Sequence, residues 1–160
     1  MTTKEDYTSE EWNILLQAPP NAATYVITAD MSVMGALKEM KALGIALKKP
    51  TAPAAAQELV DALVADIQEK SKNKESIDGP EIEDNQQARQ IVLEGLGQAA
   101  TLVDVNCAPD EAAAFKQWLR DVAQTVAEAD KEGSHFGIGG VRVTDKEKTA
   151  LAELESTLGL

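Results

Sequence analysis

Chemistry needs nucleophiles, ligands or cradles, and this chain is sparing with all three. His135 is the lone histidine and Cys107 the lone cysteine. A zinc site or a nucleophile–base pair needs partners of these kinds, and a single residue of each does not provide them. His135 therefore reads as a loop residue. Cys107, ahead of Ala108-Pro109, reads as a small buried hydrophobe. One cysteine also excludes an intrachain disulfide. Gly137-Ile138-Gly139-Gly140 invites a phosphate-cradle reading, but the dinucleotide fingerprint requires a third glycine where Arg142 stands, and no strand leads into it. These glycines read instead as a tight backbone turn, with Phe136 and Ile138 tucked under as a lid. A calcium loop of the EF-hand type starting at Asp130 fails twice. Its sixth position is His135 in place of glycine, and its twelfth is Val141 in place of glutamate. No Ser-His-Asp set or other nucleophile motif is present, so an enzyme is not expected.

The elements that would position any site are helices. Trp118 to Leu160 is the best-defined stretch. Phe115, Trp118, Leu119, Val122, Val126 and Ala129 recur at helical spacing, and so do Ala150, Leu151, Leu154 and Leu158. Thr144-Asp145-Lys146-Glu147 is a capping box, in which the Thr side chain accepts from the third amide and Glu147 reaches back. Gly159 stands where a helix stops. Thr8-Ser9-Glu10-Glu11 repeats the box near the N-terminus, ahead of Trp12, Leu15 and Leu16. Residues 1–7 are polar and expected to be loose. Pro19-Pro20 is expected to end or kink the first helix, with a short second helix to Asp30. A third runs from Ser32 to Lys48-Lys49 with Val33, Leu37, Met40, Gly44 and Leu47 on one face. A fourth opens at Thr51-Ala52-Pro53, and Lys70 to Pro80 is a loop. A fifth spans Glu81 to Val105, and Pro109-Asp110-Glu111 opens the sixth.

Composition agrees. The chain of 160 residues is 44% hydrophobic, but only 4% of its residues are aromatic, and Ala, Leu and Val carry the apolar content. Strands favour aromatic and β-branched residues, so close-packed helices are favoured. A net charge of −12 repels phosphate backbones, which argues against nucleic-acid binding. No run approaches the ~20 apolar residues needed to span a bilayer. The first seven residues lack the apolar core of a signal peptide, so a cytoplasmic location is expected. The expectation is an all-α fold, a single domain over residues 1–160 built as a bundle of about seven helices.

A short pattern occurs twice. Tyr25-Val-Ile-Thr-Ala-Asp30 precedes Lys38-Glu39-Met-Lys-Ala-Leu43. Thr125-Val-Ala-Glu-Ala-Asp130 precedes Lys146-Glu147-Lys-Thr-Ala-Leu151, with a connection eight residues longer. Each copy is a helix ending in Ala-Asp, a loop, and Lys-Glu-x-x-Ala-Leu opening the next helix. Two such units imply two helical halves with approximate twofold symmetry.

On these residues the chain resembles the tellurite-resistance TerB-like family. Val122 to Leu160 carries most of the resemblance and Ala18 to Leu47 a degenerate copy. The family's Asp-Gly turn is here Asp130-Lys-Glu-Gly133 followed by an insertion, and Asp30-Met-Ser has no early glycine. The resemblance implies an all-helical domain of two similar halves. It also implies a divalent-cation site, for Ca²⁺ or Mg²⁺, formed by Asp30, Glu39, Asp130 and Glu147. The expected function is that of a non-enzymatic stress-response module acting through cation or protein binding. The alternative is a structural or partner-binding helical protein with no ligand.

Overall fold

The computed structural model describes residues 2–29, 41–48, 50–75, 85–129 and 143–160. All regular structure among them is helical. Six α-helices are present: α1 (Ser9–Ile27), α2 (41–46), α3 (Gln57–Lys72), α4 (Asn85–Asn106), α5 (Pro109–Ala129) and α6 (Asp145–Leu158). Two short 3₁₀ turns, Lys4–Asp6 and Ala54–Ala56, precede α1 and α3. Among the described residues, the first two of the expected helices are one. No described helix is long and apolar enough to cross a membrane.

Local chemistry sets the ends. Thr8 caps α1 and Thr144 caps α6, each with the reciprocal glutamate three residues on, Glu11 and Glu147. At Thr144 the box is tight: its amide donates to Glu147 Oε2 at 2.6 Å, and Glu147 N donates to Thr144 Oγ at 3.2 Å. Gly159 closes α6 in the left-handed region at φ 73°, where a side chain would be strained. Thr144→Ala is expected to cost about 1 kcal/mol, the usual loss for such a cap. A denaturant midpoint that stays in place would show that α6 does not depend on it.

Two expectations are corrected. Pro19 and Pro20 lie inside α1, which runs unbroken from Ser9 to Ile27. An interior proline costs about 3 kcal/mol in lost hydrogen bonding and crowding. Here the surrounding turns are wholly enclosed, with Leu15, Ala18, Ala22 and Ala23 at zero exposure. Breaking the helix would unpack that face, so tertiary burial overrides the local preference. Residues 2–7, expected to be loose, are docked: Thr2 and Tyr7 are buried, and Tyr7 packs its ring 5.9 Å from that of Trp12.

Smaller differences follow the same logic. α3 starts at Gln57, after a 3₁₀ turn, rather than at Thr51, and continues to Lys72 beyond the expected loop boundary. In α2 and the turn after it the inward residues are Leu43 and Leu47, while Gly44 faces outward. The stripes expected on α5 and α6 are buried, with Ala129 only half-buried.

Buried residues from all six helices join one cluster, with Phe115, Trp118, Leu119, Leu96, Leu59 and Leu154 at its heart. α1 is central and packs mainly on α4 and α5. Its direction relative to them is fixed by side chains. Thr2, seven residues before α1, reaches Glu111 in the first turn of α5, and the two helices pack closely along each other, so α1 and α5 start at one end and run in the same sense. Arg89, early in α4, bonds Tyr25 O near the end of α1 at 2.9 Å, so α4 runs antiparallel to α1. α6 opens beside Thr28 and Ala29 and thus runs back alongside α1.

Candidate functional site

The far pole, where α1 ends and α6 begins, is where the sequence points. A cleft of about 360 Å³ lies there, bordered by Thr28, Ala29, Arg89, Lys146, Thr149 and Glu153. Arg89 organises it. Its guanidinium stacks 4.2 Å from the Tyr25 ring, donates to Tyr25 O and to Thr28 Oγ at 3.3 Å, and pairs with Glu153 at 3.6 Å. The Tyr25 hydroxyl donates to Glu153 in turn. Burial first, then that bond to a carboxylate, pushes the Tyr25 hydroxyl above its ordinary value, against the opposing pull of Arg89. The arrangement staples α1, α4 and α6 at the point where their ends meet.

Of the four acids expected to hold a cation, Glu147 sits in the first turn of α6. It is 3% exposed, and one carboxylate oxygen takes the Thr144 amide. Its capping role is thus clear. Asp30, Glu39 and Asp130 lie outside the described residues, as do His135 and the Gly137 to Gly140 turn. Among the described residues, no three His, Cys, Asp or Glu side chains gather as a metal site would require.

The near pole carries a second constellation. The Trp12 indole donates to Asp66 Oδ2 at 2.8 Å, and Lys4 Nζ reaches the same oxygen at 2.5 Å. Lys4 also lies 5.8 Å from the Trp12 ring centre, within cation–π range. A groove of about 340 Å³ opens beside them along α1, and another of about 180 Å³ continues along α3 past Glu69 and Glu75. Burial raises the Asp66 carboxyl, but the hydrogen bonds from Lys4 and Trp12 and the charges of Lys4 and Lys70 outweigh it, so the net shift is downward. A carboxyl held low in the folded state contributes stability above its unfolded value and loses it as pH falls through the folded one. Asp66→Asn is therefore expected to flatten the loss of stability below about pH 4. Equal acid limbs in the two proteins would contradict this.

Nearby, Tyr7 and Cys107 touch through oxygen and sulfur at 3.2 Å. Burial, then the bond to Cys107, pushes the Tyr7 hydroxyl well above its usual range. Cys107 is half-buried rather than enclosed, because it lies in the turn between α4 and α5. Thr2 donates from its amide (2.8 Å) and its hydroxyl (2.9 Å) to the two oxygens of Glu111, itself 3% exposed.

The pairs at both poles join residues 54 to 128 positions apart, so no local motif announces them. The one available signal is chemical: a tryptophan buried on a helix needs an acceptor for its N–H, but the sequence does not name which acid supplies it.

No family model matches this chain, and no curated protein or solved structure matches it.

Proposed function

We propose that the chain is a non-enzymatic, TerB-like helical module that takes up a divalent cation, Ca²⁺ or Mg²⁺, at the far pole, and acts through that ion or a protein bound there. The observation that carries this reading is the parallel course of α1 and α5. Their C-terminal ends share a pole, and Asp30 and Asp130 follow those ends in the chain by three and one residues. Helix C-termini carry partial negative charge and favour cations, as do the acids after them.

The twofold reading of the repeat has support of the same kind. Adding one hundred to the nine buried positions of α1 gives a buried position of α5 in eight cases, Trp12 to Ala112 through Val26 to Val126. The exception is Tyr25, which falls on exposed Thr125. The second helices cross over in kind. Tyr25 of α1 bonds Glu153 of α6, and Thr125 of α5 shares a cleft wall with Ala46 of α2, one residue from the position that matches Glu153.

A bound cation stabilises the folded state by mass action, about 2.7 kcal/mol at a hundredfold excess over Kd. The melting temperature is expected to rise with Ca²⁺ or Mg²⁺ beyond a matched sodium control, and Asp30→Asn with Asp130→Asn to remove the rise. A rise that persists in the double variant would place the ion elsewhere. No rise in the wild type would leave a helical partner-binding protein without a ligand, the reading that the capping role of Glu147 favours.

A further inference from the structure

The near pole holds a charged side chain in the geometry of a ligand. Asp66 is fixed from one side by the Trp12 indole N–H, so its carboxylate faces the groove without swinging. Trp12 offers its ring to the same cation that Asp66 pairs. An oriented carboxylate beside an aromatic face is the chemistry that recognises an alkylammonium ion. The ion in place is the chain's own Lys4. We propose that this groove is a docking site for a lysine side chain of a protein partner, closed in the free protein by Lys4.

Three observations support an exchangeable occupant. Lys4 is 58% exposed at its side chain, so its pairing with Asp66 is a surface ion pair, weak and screened by solvent. It is carried on a single 3₁₀ turn rather than on a helix, so releasing it disturbs little of the core. Charge favours a cationic replacement. The two grooves are walled by Lys4 and Lys70 against Asp66, Glu69 and Glu75, a balance of −1 that becomes −2 once Lys4 leaves. The whole protein, at −12, steers basic partners toward it.

A tethered lysine competes at an effective concentration in the millimolar range, so it masks the site from a weak free ligand. The test removes the competitor. The probe is Nα-acetyl-lysine N-methylamide, with the norleucine analogue as a control of equal length without charge. The readout is the Trp12 indole N–H resonance, identified by its loss in Trp12→Phe. In Lys4→Ala this resonance is expected to move saturably with the lysine probe. The wild type is expected to need at least tenfold more probe. Lys4→Ala combined with Asp66→Asn is expected to stay unmoved, as is Lys4→Ala with the norleucine probe. No saturable movement in Lys4→Ala would overturn the proposal, and so would equal responses in wild type and variant or to the two probes.

Discussion

Trp118→Ala is expected to lower the stability of the fold by about 3–5 kcal/mol, the range for truncating a buried large aromatic. Trp118 is 2% exposed, and its ring lies 5.6 Å from that of Phe115, tilted by 48°. That arrangement is the tilted contact that aromatic quadrupoles prefer. Trp118 also walls the cleft that Ala46 and Thr51 share, so it ties α5 to the end of α2. Few neighbours can collapse into the space it leaves. Phe115, Leu119, Leu15 and Leu59 are already at zero exposure. Against a total stability of roughly 5–15 kcal/mol, the loss is a large fraction, equivalent to a melting temperature lower by on the order of 10 °C. Chemical denaturation of wild type, Trp118→Ala and Trp118→Phe checks it. The phenylalanine variant keeps much of the volume and is expected to lose less than half as much. A loss below 1 kcal/mol for the alanine variant would mean that the core repacks freely there.

Glu111→Ala is expected to cost roughly 2–3 kcal/mol, the scale for stranding buried donors that had bonded a charged group. Two donors of Thr2, which is 7% exposed, are stranded. Alanine offers the amide and hydroxyl nothing in return. The fold has one way to reduce the penalty, which is to let residues 2–7 lift off and meet water. The variant is therefore expected to lose hydrogen-exchange protection first in that segment and only then globally. Glu111→Gln keeps one acceptor oxygen and is expected to fall between wild type and alanine. Unchanged protection of the Thr2 amide in the alanine variant would show that the carboxylate is not what holds it.

The parts of the fold that were legible in the sequence are those set by neighbours along the chain. The Thr8 and Thr144 boxes, the stop at Gly159, and the stripes of α5 and α6 follow from residues within a turn or two of one another. The errors came where distant contacts decide. Pro19-Pro20 reads as an end or a kink of the first helix, yet the enclosed face of α1 carries one helix through it. Residues 2–7 read as a polar tail because Glu111 and Asp66, which hold them down, stand 109 and 62 positions away. The same holds for the candidate sites. Glu147 was visible both as a cap and as an acid, but one Thr144 amide at 2.6 Å gives the capping role geometric content. Arg89 gives no hint of the three residues it binds, Tyr25, Thr28 and Glu153, since an isolated arginine on a polar helix face looks like any other.

The central place of α1 has a consequence for synthesis. Its chief partners, α4 and α5, begin at Asn85 and Pro109, so the face carrying Leu15, Ala18, Ala22 and Val26 has no complete site to bury itself in while only the first half of the chain exists. A ribosome adding about 5–20 residues per second takes roughly 5–20 s to go from α1 to α5. During that interval an apolar helix, already weakened by two prolines, stands without its neighbours. The core around α1 therefore cannot close until α5 has emerged, and until then its apolar face is exposed to association with other chains.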